Sequence, residues 1–117
     1  MSTALTATNY KELTTAISAN VRQLKESVPD VMTSFNALGK AALAPGAIDA
    51  KTKELIALAI GVAARCDGCL GYHTQALARL GATREEVHEM LGVAVYMGGH
   101  TQHFVHFLAR GSARNAG

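Results

Sequence analysis

The sequence predicts an all-α protein, a single compact domain built as a bundle of about six helices. Apolar residues recur at helical spacing along nearly the whole 117-residue chain, and no stretch alternates strictly over strand length. The composition is 49% hydrophobic but only 5% aromatic, with no Trp and 11 Gly, so the core is expected to consist of small and aliphatic side chains on closely packed helices. Prolines, glycines and capping residues cut the pattern into helix-length pieces. A chain of this size buries roughly two-thirds of its unfolded surface, enough for one core. No repeat, low-complexity block or linker divides it, so one domain over 1–117 is expected.

The first helix is expected over about 10–28, where Pro29 ends it or opens the next, over about 29–43. Pro45 and Gly46 then break the chain. Asp49 is a suitable N-cap for a third helix over about 50–64. Residues 65–68 interrupt the pattern before a fourth helix that runs to Leu80, with Gly81 placed as its C-terminal stop. Thr83, Arg84, Glu85 and Glu86 have capping-box spacing and open a fifth helix to about Met97. Gly98 and Gly99 are expected to turn the chain into a last helix over about 101–109, followed by a small, polar, frayed tail at 111–117.

Several classes of function are excluded as expectations. The net charge is only +2, from 11 Lys and Arg against 9 Asp and Glu, and no basic run or aromatic platform accompanies it, so no nucleic-acid partner is expected. The longest strongly apolar run, 55–64, is about half of the roughly 20 residues that cross a bilayer. It reads as a buried helix, with no membrane role. Residues 1–10 lack the basic start and apolar stretch of a secretory signal, which points to the cytoplasm. Two cysteines cannot staple a secreted scaffold, and a close pair in a reducing compartment is more often catalytic or metal-binding.

The informative stretch is Arg65-Cys66-Asp67-Gly68-Cys69-Leu70-Gly71-Tyr72-His73. At the start of a helix, a step of about 100° per residue places Cys66, Cys69 and His73 within an arc of roughly 60°. A thiol there meets unpaired backbone N–H groups and the positive end of the helix dipole, which favour the thiolate. His73, one turn beyond Cys69, is placed to carry its proton. Unrelated core cysteines and a zinc site compete with a redox pair. Zinc normally takes four ligands in a structural site, and no second paired motif supplies them. A thioredoxin-like unit is also disfavoured, because the surroundings are helical throughout.

Glu54, twelve positions before Cys66 on the preceding helix, completes a pattern of Glu54, Cys66-x-x-Cys69 and His73. This arrangement resembles the AhpD-like alkylhydroperoxidases of the carboxymuconolactone decarboxylase superfamily, most strongly over about 51–80. The resemblance implies an all-α fold with the site on two helices, and a homo-oligomer, a trimer or hexamer. It also implies reduction of small organic hydroperoxides by the Cys pair, re-reduced by a dithiol donor such as a lipoyl protein. By position, Cys69 takes the peroxidatic role and Cys66 the resolving one, with Glu54 and His73 as the proton relay. No bound cofactor or metal is implied. The best-known members carry a His where this chain has Gly68, and are longer, with two related halves. Protein disulfide exchange, or a metal-binding or purely structural oligomeric module, are the alternative functions.

Other residues read as structural. His100, His103 and His106 recur every three residues and drift by about 60° per step round a helix, so surface or interface roles are expected over ligation. Tyr72 is read mainly as packing, though placed to act as a polar gate beside the thiols, and Arg65 as either a thiolate partner or a solvated charge. Met90, Met97, Phe104, Val105 and Leu108 are expected in the core or in subunit contacts.

Overall fold

The computed structural model describes residues 9–98, which form five α-helices and no strand. The expected helix over 101–109, the tail, Phe104, Val105, Leu108, and His100, His103 and His106 lie outside the described residues. Helix α1 spans Tyr10–Ser27, and its first turn is capped by Asn9, whose side chain accepts from the backbone N–H of Lys11 and Glu12. Helix α2 spans Pro29–Leu43 with Pro29 in its first turn, where its fixed φ suits the helix and its missing N–H removes no bond. At the far end of α2, Lys53 Nζ donates to the carbonyls of Ala42 and Ala44, satisfying acceptors that a helix terminus leaves open.

Helix α3 spans Ala50–Ala63, and the Asp49 carboxylate accepts from Thr52 N–H at 2.7 Å. Those hydrogen bonds hold Asp49 below the usual carboxylate range. Helix α4 spans Asp67–Arg79 and closes at Gly81, whose φ of +76° is the left-handed conformation that glycine adopts freely. Gly81 N–H bonds to Ala78 and Ala82 N–H to Leu77, the paired closure of a Schellman motif. Helix α5 spans Arg84–Gly98, and the reciprocal Thr83–Glu86 bonds expected of a capping box open it. Gly98 is helical within α5, where the sequence suggested a turn.

Helices α3 and α4 form an antiparallel pair, and α5 runs parallel to α3 on its other side. An ion pair between Lys51 and Glu86 at 2.7 Å ties the two starts, and Ala63 lies against Gly98 at the two ends. Helix α1 packs across α4. There Gly71 leaves no room for a side chain, since a Cβ would come 2.6 Å from Thr14 Cγ2. The core gathers Tyr10 from α1, Leu58 and Val62 from α3, Leu70 and Leu77 from α4, and Val87, Leu91 and Ala94 from α5. Each large aliphatic among them stabilises by about 1.5–3 kcal/mol through burial. Helix α2 contributes little to it, with Met32 its one buried residue.

Candidate active site

The link between α3 and α4 determines where the cysteines stand. Helix α3 ends in a second Schellman closure, with Arg65 N–H bonded to Val62 and Cys66 N–H to Gly61 at 2.9 Å. The left-handed residue is Arg65, at φ +58°, instead of the glycine that position normally takes. This turn reverses the chain and delivers Cys66 as the N-cap of α4. Its Sγ accepts from Cys69 N–H at 3.2 Å, as a Ser or Asp oxygen does at other helix starts.

Cys69 follows in the first turn of α4 and presses against α3. A Cβ on Gly61 would stand 2.9 Å from Cys69 Cβ, so the bare backbone of Gly61 is what lets the two helices close here. Gly61 thus holds Cys66 through its carbonyl and meets Cys69 through its missing side chain. Both cysteines are free thiols and partly buried.

One turn beyond Cys69, His73 Nδ1 lies 2.6 Å from Glu54 Oε2. Glu54 is buried and His73 partly so, which protects the pair from solvent competition. On α3, Glu54 and Gly61 are seven residues apart and share a face to within about 20°. The antiparallel pairing therefore sets Glu54 against His73 and Gly61 against the cysteines. The four residues singled out in the sequence lie together on one seam between α3 and α4.

The electrostatics of Cys69 depart from the expectation that a helix start favours its thiolate. Burial pushes the Cys69 thiol up to about 11 from an ordinary 9.0, and the Cys66 sulfur beside it adds a hydrogen bond and a like charge in the same direction. Removing the Cys69 proton therefore requires a base in contact with it. Among the described residues no group of three or more His, Cys, Asp or Glu is arranged to hold a metal ion.

Tyr72 and Arg65 also find definite places. The Tyr72 hydroxyl donates to the Thr14 carbonyl at 3.0 Å and lies 2.6 Å from Ser18 Oγ, so it fastens α4 to α1. Arg65 forms the turn itself. Sequence reasoning missed Asn9, Gly61, Thr14 and Gln75. Gln75 Nε2 donates to Thr14 Oγ1 at 3.0 Å, in the same α1–α4 seam as Tyr72. A glycine inside the apolar run of α3 was the available sign of close helix approach at Gly61.

Comparison with known proteins agrees with this architecture. The model of the carboxymuconolactone decarboxylase family matches residues 29–109. An uncharacterized protein of Cupriavidus necator is 38% identical over 92 residues, covering 79% of this chain and 81% of that protein. An uncharacterized protein encoded in the cox locus of Paracoccus denitrificans is 35% identical over 80 residues, 68% of this chain and 72% of its own. The crystal structure of a carboxymuconolactone decarboxylase family protein from Legionella pneumophila, without ligand, superposes with a TM-score of 0.79 at 43% identity, covering 92% of both chains.

Proposed function

Because the chain belongs to the carboxymuconolactone decarboxylase family, we propose that it is a thiol oxidoreductase of the AhpD-like kind, which reduces small organic hydroperoxides through a Cys66–Cys69 dithiol and disulfide cycle. The observation that carries this reading is the 2.6 Å contact between Glu54 and His73, one helical turn from the partly buried Cys69. A Cys69 thiol held near 11 is a poor nucleophile at neutral pH unless a neighbouring base takes its proton. With the hydrogen of His73 on Nδ1, facing the Glu54 carboxylate, Nε2 is the free base that accepts it.

The Cys69 thiolate attacks the terminal oxygen of the hydroperoxide and breaks the O–O bond. Cys69 becomes a sulfenic acid, and the leaving alkoxide takes the proton from His73 and departs as the alcohol. The Cys66 sulfur then attacks the sulfenic sulfur, the S–S bond forms, and water leaves with the Cys66 proton. An external dithiol, free or on a lipoyl protein, returns two electrons and two protons to regenerate both thiols. The reducing cytoplasm is the compartment in which such a dithiol stays ready. We further propose a homo-oligomer, because large apolar side chains stand exposed on α2 and α5; a trimer or hexamer is what the family resemblance implies.

Sulfenate trapping on the reduced protein tests the assignment. Cys66→Ser should accumulate sulfenic acid at Cys69 after addition of cumene hydroperoxide, and Cys69→Ser should be inert. In the wild type, dihydrolipoamide should sustain peroxide consumption, and Glu54→Gln should slow it by about 100-fold, the low end of what a positioned proton transfer contributes. A second reading is favoured by the placement of Cys66 as the sulfur that accepts a helix N-terminal amide. If trapping succeeds only on Cys66, and protein disulfides are reduced faster than peroxides, the chain is a protein disulfide exchanger with Cys66 as its attacking thiol.

A further inference from the structure

Gly68, which lies between the two cysteines, is closed off by helix α1. A Cβ at Gly68 would come 3.0 Å from Ile17 Cδ1, so the aliphatic tip of Ile17 lies directly against the turn that carries Cys66 and Cys69. Successive side chains on α4 place Gly68, Tyr72 and Gln75 on the face toward α1, about 100° round from Cys69. Ile17 therefore flanks the thiols on the side away from α3, which holds Gly61 and Glu54.

Its position is fixed by the residues around it. Thr14, one turn before, accepts from Tyr72 and Gln75, and Ser18, the next residue, meets the Tyr72 hydroxyl at 2.6 Å. The α1 backbone is thus fastened to α4 on both sides of Ile17. Ile17 itself is half-buried, with part of its apolar surface left open to whatever approaches.

We propose that Ile17 is the specificity-determining wall of the thiol site: its branched side chain limits the size of the group that reaches the Cys pair and supplies the apolar surface along which that group lies. The inference rests on the thiol reading of the site, and names the residue that sorts its substrates. A side chain at position 68 would occupy the same space, so the flank beside the thiols here is the hydrocarbon of Ile17. Larger, apolar hydroperoxides are then discriminated by fit to Ile17 and not by a polar contact.

Alkylation of the reduced protein by a small reagent, iodoacetamide, and a bulky one, pyrenyl maleimide, reads the wall without any peroxide chemistry. Ile17→Ala should raise the bulky-to-small rate ratio by about tenfold, the scale on which an apolar site discriminates a few carbons, and Ile17→Phe should lower it. The same order should appear in the ratio of cumene to tert-butyl hydroperoxide consumption. Ratios unchanged in both variants, with helical circular dichroism intact, would overturn the proposal. Ile17→Val, which alters volume least, keeps the comparison available if Ile17→Ala fails to fold. Wild-type protein that consumes neither peroxide sinks the peroxidase reading alone, because the alkylation ratios still decide the role of Ile17.

Discussion

At the scale of single residues, two positions beside the site sit at odds with their intrinsic preference. Arg65 holds φ +58°, a conformation that costs a side-chain-bearing residue about 1–2 kcal/mol and that glycine adopts freely. Arg65→Gly should therefore stabilise the fold by roughly 0.5–1 kcal/mol, after the greater chain entropy of glycine is counted, and raise Tm by a few degrees in thermal denaturation. Such strain concentrates where surrounding structure over-determines a turn, and here the turn positions Cys66. Cys69 is the second case. Its unfolded thiol ionises near 9.0, while the folded one keeps its proton to about 11. Between those values the unfolded chain binds fewer protons, so stability falls as pH rises through that window. The urea midpoint should drop across it for the reduced wild type and less steeply for Cys69→Ser. Equal slopes would mean that Cys69 is not held protonated by the fold.

Elements were legible in the sequence wherever their ends carry local chemistry. Asp49, Gly81 and the Thr83–Glu86 box each satisfy backbone groups within a few residues, so their positions could be read without knowing the fold. Removing one such signal has a calculable effect: Thr83→Ala should destabilise by about 1 kcal/mol and shift the chemical-denaturation midpoint without changing its slope. The proximity of the four candidate residues was legible for a similar reason, since one helix and its neighbour bring Glu54, Cys66, Cys69 and His73 into a fixed spacing. Apart from the Asn9 cap of α1, what escaped was tertiary. No local pattern marks Arg65 as left-handed, because the signal looked for there is glycine. The fit of Gly61 to Cys69, and of Gly71 to Thr14, exists only once two helices meet. The same holds for the inverted expectation about Cys69, whose environment is set by the close approach of α3.

For the molecule as a whole, α2 stands out. Val31, Phe35 and Leu38 repeat at four- and three-residue spacing on one face, and Phe35 and Leu38 are each about two-thirds exposed. Tyr96 and Met97 of α5 are more exposed still. Scattered apolar side chains are ordinary on protein surfaces, but a helical stripe of this kind is the face that the proposed oligomer would cover. Light scattering at micromolar concentration should give a multimer mass, and Phe35→Lys should shift it toward the monomer. A monomer mass for the wild type would remove the assembly proposal. The short chain separation of Cys66 and Cys69 also bears on the energetics of the entire molecule. A crosslink constrains an unfolded polymer in proportion to the logarithm of the ring it closes, and this four-membered ring limits the gain to about 2 kcal/mol, against about 4.7 for a hundred-residue ring. In the proposed cycle, closing that bond would raise Tm by roughly 10 °C, less than half of what a hundred-residue ring would add.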